Sequence, residues 1–293
     1  MKRPLLSILI PTYNRAEMTY ECINSIGTHD DLEIVIVDDC SNDAEWFNLF
    51  ELVELASLNH TNIYRNESNL GMVRNFNKCM EYATGEWFCL IGSDDLFRKG
   101  AVGRILDYLR KQTESALIVH SRSTKYTRSE PGHESAKAMR LPSGSGNLWH
   151  RSIYEELGGF NERLEFSPDA EYWRRIAVKY PVIGTPDKFT RYREHENNIM
   201  WSMWRQRDKM FSQVILLTRL NMVHFGEDVN NLDIVAQNQS EALWETVSYI
   251  LRKTSRMPSK HDIFDTYLNK GNNLAYTEER KNLIAQLVKA RGS

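Results

Sequence analysis

Two adjacent carboxylates, Asp94 and Asp95, follow the apolar part of the segment CLIGSDDLF, residues 89–97. Like charges this close repel each other, and burial raises the cost of that repulsion further. The pair therefore lies in a solvated turn, with one aspartate capping the next helix, or it lies beside a cation. These residues alone leave both possibilities open.

Polar clusters also follow two earlier apolar runs. PTYNR follows residues 5–10, and DDCSND follows residues 33–37. We interpret each run as a buried strand of a parallel sheet. Because ligands bind beyond the carboxyl ends of such strands, three polar clusters at the same edge predict a binding site there.

Apolar residues at helical spacing alternate with the strands, which predicts an α/β fold with a mostly parallel central sheet between helices. The predicted strands are 5–10, 33–37, 61–64, 87–91, 116–120 and 183–192. The predicted helices are 16–26, 46–58, 73–83, 102–109, 151–157 and 170–178. Residues 121–147 are rich in polar residues and glycine and are interpreted as a mobile loop. From about residue 200 the pattern is helical.

The composition is that of a globular protein. The chain has 293 residues, 41% hydrophobic and 26% charged, and a net charge of −2, which gives no reason to expect a nucleic-acid partner. Its four cysteines form no C-x-x-C pair, which favours a reduced protein over a disulfide scaffold or zinc site. Pro11 interrupts the first apolar run, and no run approaches the roughly 20 residues that span a bilayer. We therefore expect a cytoplasmic protein.

Four segments resemble, in order and spacing, the signatures of family 2 glycosyltransferases. They are SILIPTYNR, EIVIVDDCSND, NLGMVRNFNKCMEYATGEWFCLIGSDDLF and YEELGGFNERLEFSPDAEYWRRIA. The resemblance implies an inverting enzyme with a GT-A fold, a nucleotide-binding α/β sheet that carries an Asp-rich metal motif. It implies a catalytic domain at 1–200, whereas the helical extension at 201–293 carries no such match.

The resemblance also implies which residues bind the nucleoside-diphosphate sugar. Tyr13 would stack or pack on the base, and Asp39 would accept a hydrogen bond from its imide N–H, which favours UDP or dTDP. The other residues of this rim and of the loop and helix beneath the nucleotide are Pro11, Arg15, Asn69, Gly71 and Arg74. The alternative for Asp39 is an aspartate that caps a helix in a solvated turn. The alternative for Gly71 and Arg74 is an ordinary loop glycine with a surface arginine.

Ser93, Asp94 and Asp95 occupy the place of the family's D-x-D metal motif, with Ser93 replacing the first aspartate. The resemblance assigns Asp95 to a divalent cation, Mn²⁺ or Mg²⁺, and Asp94 to the ribose or to waters of the metal. These ions prefer oxygen ligands and are often held by one or two carboxylates with phosphate oxygens. His195, in the segment YREH, resembles a family histidine that reaches the metal or diphosphate; the alternative is a structural histidine.

The segment SPDAEYWRR resembles the family's E-D-x-x-x-W-x-R motif, which carries the catalytic base. Asp169 keeps the spacing to Trp173 and Arg175, whereas Pro168 replaces the preceding glutamate. Asp169 is therefore the predicted general base and Glu171 its rival. An inverting transfer needs one base, which accepts the proton of the acceptor hydroxyl as that oxygen attacks the anomeric carbon.

The acceptor site is assigned to Trp149, Gly159 and Trp173. Trp149 is a platform for sugar stacking or a core aromatic. The C-terminal helices, with Trp201, Trp204 and Trp244, pack on the catalytic domain or mediate a homodimer or peripheral membrane contact.

Together these features predict a metal-dependent inverting glycosyltransferase that acts on a hydroxyl of a glycan, glycolipid or glycoprotein, in a pathway such as polysaccharide biosynthesis. A nucleotidyltransferase would carry a glycine-rich N-terminal loop, and PTYNR lacks glycine. The remaining alternative is a degenerate protein that binds a nucleotide sugar or a partner without turnover. Ser93 and Pro168 are the departures from the family pattern that favour it.

Overall fold

The computed structural model describes residues 3–56, 58, 60–120, 128–139, 144–195, 207–228 and 230. The chain divides into two compact units, Met1–Glu196 with His224–Gly226, and Asn197–Val223 with Glu227–Ser293. The division expected from the sequence, at residue 200, stays a prediction. In the described part of the chain, no helix is long and apolar enough to cross a membrane.

The strands and helices of the described residues are as follows. The strands are β1 Leu6–Thr12, β2 Leu32–Asp38, β3 Thr61–Arg65, β4 Trp87–Leu90, β5 Leu96–Phe97, β6 Leu117–His120, β7 Arg128–Ser129, β8 Leu148–His150, β9 Val182–Thr185 and β10 Thr190–Arg191. The helices are α1 Ala16–Asn24, α2 Asp43–Ala56, α3 Met72–Tyr82, α4 Ala101–Leu109, α5 His133–Ala138, α6 Arg151–Leu157, α7 Pro168–Lys179 and α8 Arg207–His224.

Eight strands form the central sheet, in the order β3-β2-β1-β4-β8-β6-β9-β7. β1 pairs in parallel with β2 and β4, β2 with β3, and β6 with β9. β8 runs antiparallel to both of its neighbours, and β7 runs antiparallel to β9. The sheet is therefore mostly parallel, and the predicted α/β fold is confirmed.

The hydrophobic core has two parts, one on each face of the sheet. Ile8 and Ile10 of β1 belong to a cluster that includes residues of α1, α2 and α4. Leu9, the residue between them, belongs to a second cluster, formed with residues of α3, α6 and α7. This alternation follows from the period of two along a strand, and it places helices on both faces of the sheet.

Three parts of the structure differ from the sequence prediction. Residues 121–147 contain β7 and α5 rather than a continuous loop, although 121–127 and 140–143 lie outside the described residues. The strand predicted at 183–192 is two strands, because Pro186 ends β9 and β10 then pairs with β5 in a second sheet. The strands β5 and β8 were not predicted. The helices predicted beyond α8, and Trp201, Trp204 and Trp244, lie outside the described residues.

Candidate active site

The carboxyl ends of β1, β2 and β4 meet at one edge of the sheet because these strands are parallel neighbours. Pro11 lies buried near the end of β1, Asp39 follows β2, and Ser93 lies buried just after β4. The backbone N–H of Asp39 donates to the Thr12 carbonyl over 2.9 Å, which joins the first two of these ends. The fold thus brings together the polar clusters that the sequence predicted at one edge.

Asp94 accepts hydrogen bonds from two cationic or ionisable side chains. Its Oδ2 atom lies 2.6 Å from Nη1 of Arg15, and Nε2 of His195 lies 3.0 Å from the same oxygen. Arg15 comes from the start of α1 and His195 from the segment after β10. The structure therefore places these three predicted site residues in contact.

Arg193 ties the loop after β4 to α1. Its guanidinium donates to the backbone carbonyls of Asp94 and Ser93, to the carbonyl of Met18, and to the carboxylate of Glu21. The sequence prediction assigned a role to His195 of the same segment but none to this arginine. Its place in YREH, two residues before the predicted ligand, was the only local signal.

Asp95 is the buried member of the acidic pair, with 3% of its surface exposed. Burial raises its pKa to about 6, and the charge of Asp94 acts in the same direction. Hydrogen bonds from the Ser145 side chain and from the backbone N–H of Arg193, the latter 3.2 Å long, partly oppose that rise. A cation beside Asp95 would favour the ionised carboxylate.

The chemistry of this donor set fits a hard divalent cation, since Asp94, Asp95 and His195 offer carboxylate oxygens and an imidazole nitrogen. Among the residues that the structure describes, however, no group of three such side chains converges on a single point. A divalent cation here would therefore take one or two ligands from the protein, and other oxygen ligands would complete its coordination.

Asp39 organises the loop before α3. Its carboxylate accepts hydrogen bonds from the backbone N–H groups of Leu70 and Gly71, each 2.8 Å long, and from the Asn66 side chain. Gly71 has a φ of 85°, a conformation that glycine adopts without steric cost. The same Gly71 N–H also donates to the side-chain oxygen of Asn69 over 3.1 Å, a hydrogen bond within the loop.

Two residues predicted to contact the nucleotide lie at the surface. Tyr13 is 46% exposed, which leaves its ring accessible to a base. Arg74 points along the exposed side of α3 and forms an ion pair of 3.2 Å with Glu162. The structure therefore brings Tyr13 to the candidate edge, whereas Arg74 has a carboxylate partner of its own.

The structure distinguishes the two candidate bases. Burial raises the pKa of Glu171, but hydrogen bonds from His224 and Arg175 and the charge of Arg175 outweigh it, so the net pKa is lowered. Nε2 of His224 lies 2.7 Å and Nε of Arg175 lies 2.9 Å from Oε1 of Glu171. Glu171 is thus engaged by an arginine of its own helix and by His224.

Asp169 lies in the first turn of α7 and is partly buried. Burial raises its pKa to about 6, and hydrogen bonds from the backbone N–H groups of Ala170 and Asp169 offset this only in part. Pro168 begins the helix, a position where the missing N–H has no cost. The environment of Asp169 therefore favours a basic carboxylate.

Two of the three predicted acceptor residues, the tryptophans, lie within the protein. Trp149 and Trp173 are fully buried, with ring centroids 5.4 Å apart, so the structure supports the core interpretation of Trp149. The carbonyl of Gly159 accepts from Arg175, and a Cβ at Gly159 would lie 2.3 Å from the Asn77 side chain. Gly159 lies in the turn between α6 and α7, and the two buried tryptophan rings offer no face to a sugar.

Comparison with known proteins gives the following matches. A family model described as "Glycosyl transferase family 2" matches residues 7–167. The abequosyltransferase RfbV of Salmonella typhimurium is 36% identical over 168 residues, 55% of this chain and 45% of that protein. The chain spans about two thirds or less of the length of the curated relatives it matches.

Two solved structures share the fold. S. aureus TarS 1-349 in complex with UDP-GlcNAc has a TM-score of 0.62 and 17% identity, covering 97% of this chain and 81% of that one. The mannosyltransferase PcManGT from Pyrobaculum calidifontis, in complex with GDP-Man and Mn²⁺, has a TM-score of 0.61 and 17% identity, covering 99% and 86%. At these identities the likeness shows the fold alone.

Proposed function

The chain belongs to glycosyl transferase family 2, and from this premise we propose that it transfers a sugar, with inversion, from a nucleoside-diphosphate sugar to an acceptor hydroxyl. One observation carries the proposal. Burial raises the pKa of both Asp95 and Asp169 to about 6, and both lie at the three-residue segment 144–146: Asp95 hydrogen-bonds Ser145, and a Cβ on Gly144 would be 3.0 Å from Oδ2 of Asp169. A group near the leaving diphosphate and a base near the attacking hydroxyl are what such a transfer requires.

Asp169 acts as the general base in this proposal. A carboxylate with a pKa near 6 is ionised at neutral pH and yet basic enough to accept a proton in the transition state. It takes the proton of the acceptor hydroxyl while the hydroxyl oxygen bonds to the anomeric carbon and the bond to the diphosphate breaks. The contacts of Glu171 with Arg175 and His224 support Asp169 as the base.

Asp95 and His195 would hold a divalent ion, Mn²⁺ or Mg²⁺, with Asp94 directed to the ribose or to waters of the metal. The ion, when bound, would neutralise the charge that develops on the leaving nucleoside diphosphate. Arg193 keeps the loop that carries both aspartates against α1. The Mn²⁺ in the PcManGT complex supports the choice of ion.

The donor is proposed to be a UDP- or dTDP-sugar, with Tyr13 against the base and Asp39 near its imide. TarS binds UDP-GlcNAc and PcManGT binds GDP-Man, which supports a nucleoside-diphosphate sugar as the class. The acceptor is proposed to be a glycan, glycolipid or glycoprotein of a polysaccharide pathway. A cytoplasmic location, with the C-terminal helices in a homodimer or peripheral membrane contact, completes the proposal.

A thermal-shift experiment tests the site. The wild type and Asp95→Ala are melted with UDP, dTDP, GDP, CDP and ADP, each with and without Mn²⁺. We expect one nucleotide to raise the melting temperature only with metal, because a ligand that binds the folded state stabilises it by mass action. Asp95→Ala should lose the shift, whereas Asp30→Ala, a change at an exposed aspartate, should keep it.

Two results would contradict the proposal. If no nucleotide gives a metal-dependent shift, the metal site is wrong. If the shift is seen but neither the wild type nor Asp169→Asn transfers a sugar from any nucleotide sugar to any sugar acceptor, the protein is a binder without catalysis.

A further inference from the structure

The three residues Gly144, Ser145 and Gly146, called here the 144–146 segment, lie one residue before β8. The Ser145 hydroxyl accepts a hydrogen bond of 3.1 Å from the backbone N–H of Gly92 and hydrogen-bonds the Asp95 carboxylate. The Gly146 N–H donates to the carbonyl of Leu90, the last residue of β4, over 2.7 Å. The segment therefore runs along the end of β4, against the loop that carries the acidic pair.

Buried neighbours fix the backbone of this segment. Nε2 of His120 lies 2.8 Å from the Ser145 carbonyl oxygen, and since a carbonyl only accepts, this nitrogen carries the proton. Gly146 has a φ of 88°, and a Cβ there would lie 2.6 Å from Nε2 of His120 and 2.5 Å from Cγ2 of Thr190. Only glycine fits at position 146. Because the backbone is fixed at the Ser145 carbonyl and at Gly146, the direction in which the Ser145 side chain leaves the backbone is fixed as well.

Gly144 lies against the proposed base. A Cβ at this position would be 3.0 Å from Oδ2 of Asp169 and 3.5 Å from its Cγ. The backbone of Gly144 is not in the left-handed region. An alanine here would therefore meet no backbone strain and would act through its contact with Asp169.

We propose that the 144–146 segment positions both carboxylates of the site. Ser145 orients Asp95, the metal ligand, and Gly144 leaves the space in which Asp169 can act as the base. Ser145 and Gly144 are positioning residues and touch no substrate in this proposal. The inference rests on the proposed function, because it assigns Asp95 to a metal and Asp169 to the base.

The role of Ser145 is tested by Mn²⁺ binding. Mn²⁺ is titrated by electron paramagnetic resonance, first alone and then with UDP, into the wild type, Ser145→Ala and Ser145→Thr. Loss of a residue that orients a metal ligand weakens metal affinity by about 10- to 100-fold. We expect that loss in Ser145→Ala and its recovery in Ser145→Thr, which keeps the hydroxyl. A purely structural serine would lower the melting temperature without changing Mn²⁺ affinity in the folded protein.

The role of Gly144 is tested by a double-mutant cycle. Gly144→Ala should lower the melting temperature by about 2–4 °C in the wild type. It should lower it by less than about 1 °C in the Asp169→Ala background, where the contacted atoms are absent. With the nucleotide sugar identified by the thermal-shift screen, Gly144→Ala should reduce kcat about 10-fold and leave KM and Mn²⁺ affinity unchanged. Gly103→Ala, a helical glycine with 3.6 Å to the nearest atom, is the matched control.

The outcomes separate this inference from the proposed function. If the wild type binds Mn²⁺ and Ser145→Ala binds it equally well, the role of Ser145 is refuted while the metal site stands. If Gly144→Ala lowers the melting temperature by the same amount in both backgrounds, or affects kcat no more than Gly103→Ala does, the role of Gly144 is refuted. If the wild type binds no Mn²⁺ under either condition, the metal assignment fails first, and the inference for Ser145 falls with it.

Discussion

Replacing Asp169 with asparagine should make the protein more stable and less active. Burial raises the pKa of this carboxyl from 3.8 to about 6, which means that the folded state disfavours its ionised form. A shift of about two pKa units corresponds to about 3 kcal/mol, since one unit is about 1.4 kcal/mol. Asparagine has nearly the same shape, keeps an oxygen for the N–H groups of the first turn, and carries no charge. We therefore expect Asp169→Asn to raise the free energy of unfolding by about 1–3 kcal/mol at neutral pH.

The sign of the pH dependence follows from proton binding. Between the unfolded pKa near 4 and the folded pKa near 6, the folded state binds more protons than the unfolded state, so stability falls as pH rises through this window. Below this pH window the carboxyl is neutral in both the folded and the unfolded state, so Asp169→Asn changes the free energy of unfolding little. The difference between Asp169→Asn and the wild type should grow by about 2 kcal/mol from about pH 4.5 to about pH 7.5.

Urea denaturation of both proteins at several pH values measures this difference directly. The slope m should not change, because the substitution leaves the exposed surface of each state almost unaltered. Asp30→Asn, at an exposed site, is the matched control and should show no such growth. Turnover should fall by about 10²- to 10⁴-fold, the usual contribution of a general base. If Asp169→Asn is less stable than the wild type at neutral pH, the carboxylate is stabilised in the fold and the reasoning is wrong.

Three further predictions concern the same site. The kcat of the wild type should rise with pH through about pH 6, as Asp169 ionises, and a profile that stays flat from about pH 5 to pH 8 would argue against this base. Glu171→Gln should lower the free energy of unfolding by about 2–4 kcal/mol in urea titrations, because it leaves the charge of Arg175 without its carboxylate, while turnover per folded molecule stays near that of the wild type. Arg193→Ala should reduce kcat by about 10²-fold by releasing the loop that carries the acidic pair, and an equal loss in Arg98→Ala, at a nearby exposed arginine, would show that the effect is not specific.

The first half of the sheet could be predicted from the sequence because its signals are local. The apolar runs LSILIPT and LEIVIVD are fully buried as β1 and β2, and each ends where its polar cluster begins. The segment that follows β4 could be placed at the same edge because parallel neighbours share a direction. This is why the acidic pair, Arg15 and Asp39 were predicted as one site.

The remaining parts depend on contacts between distant segments. The strand β8 has only three residues, Leu148–His150, and its position follows from its neighbours rather than from its own pattern. Ser145 reaches Asp95 across 50 residues of sequence, and Arg193 reaches the Asp94 carbonyl across 99. Trp149 and Trp173 are of a residue type that can stack on sugars, and only the packing of the core shows that both rings are enclosed.

The position of β8 has a consequence for the order in which the protein is made. β4 has β1 on one side from an early stage, but its other side is covered only by β8, which is synthesised about 60 residues later. Until then Trp87–Leu90, which are buried in the finished fold, form an edge strand whose N–H and C=O groups on that side have no partner strand. We expect chains truncated before Leu148 to associate through this edge. Truncation after the end of α7 would leave the edge paired and should give less aggregate on the ribosome or in a cell-free extract.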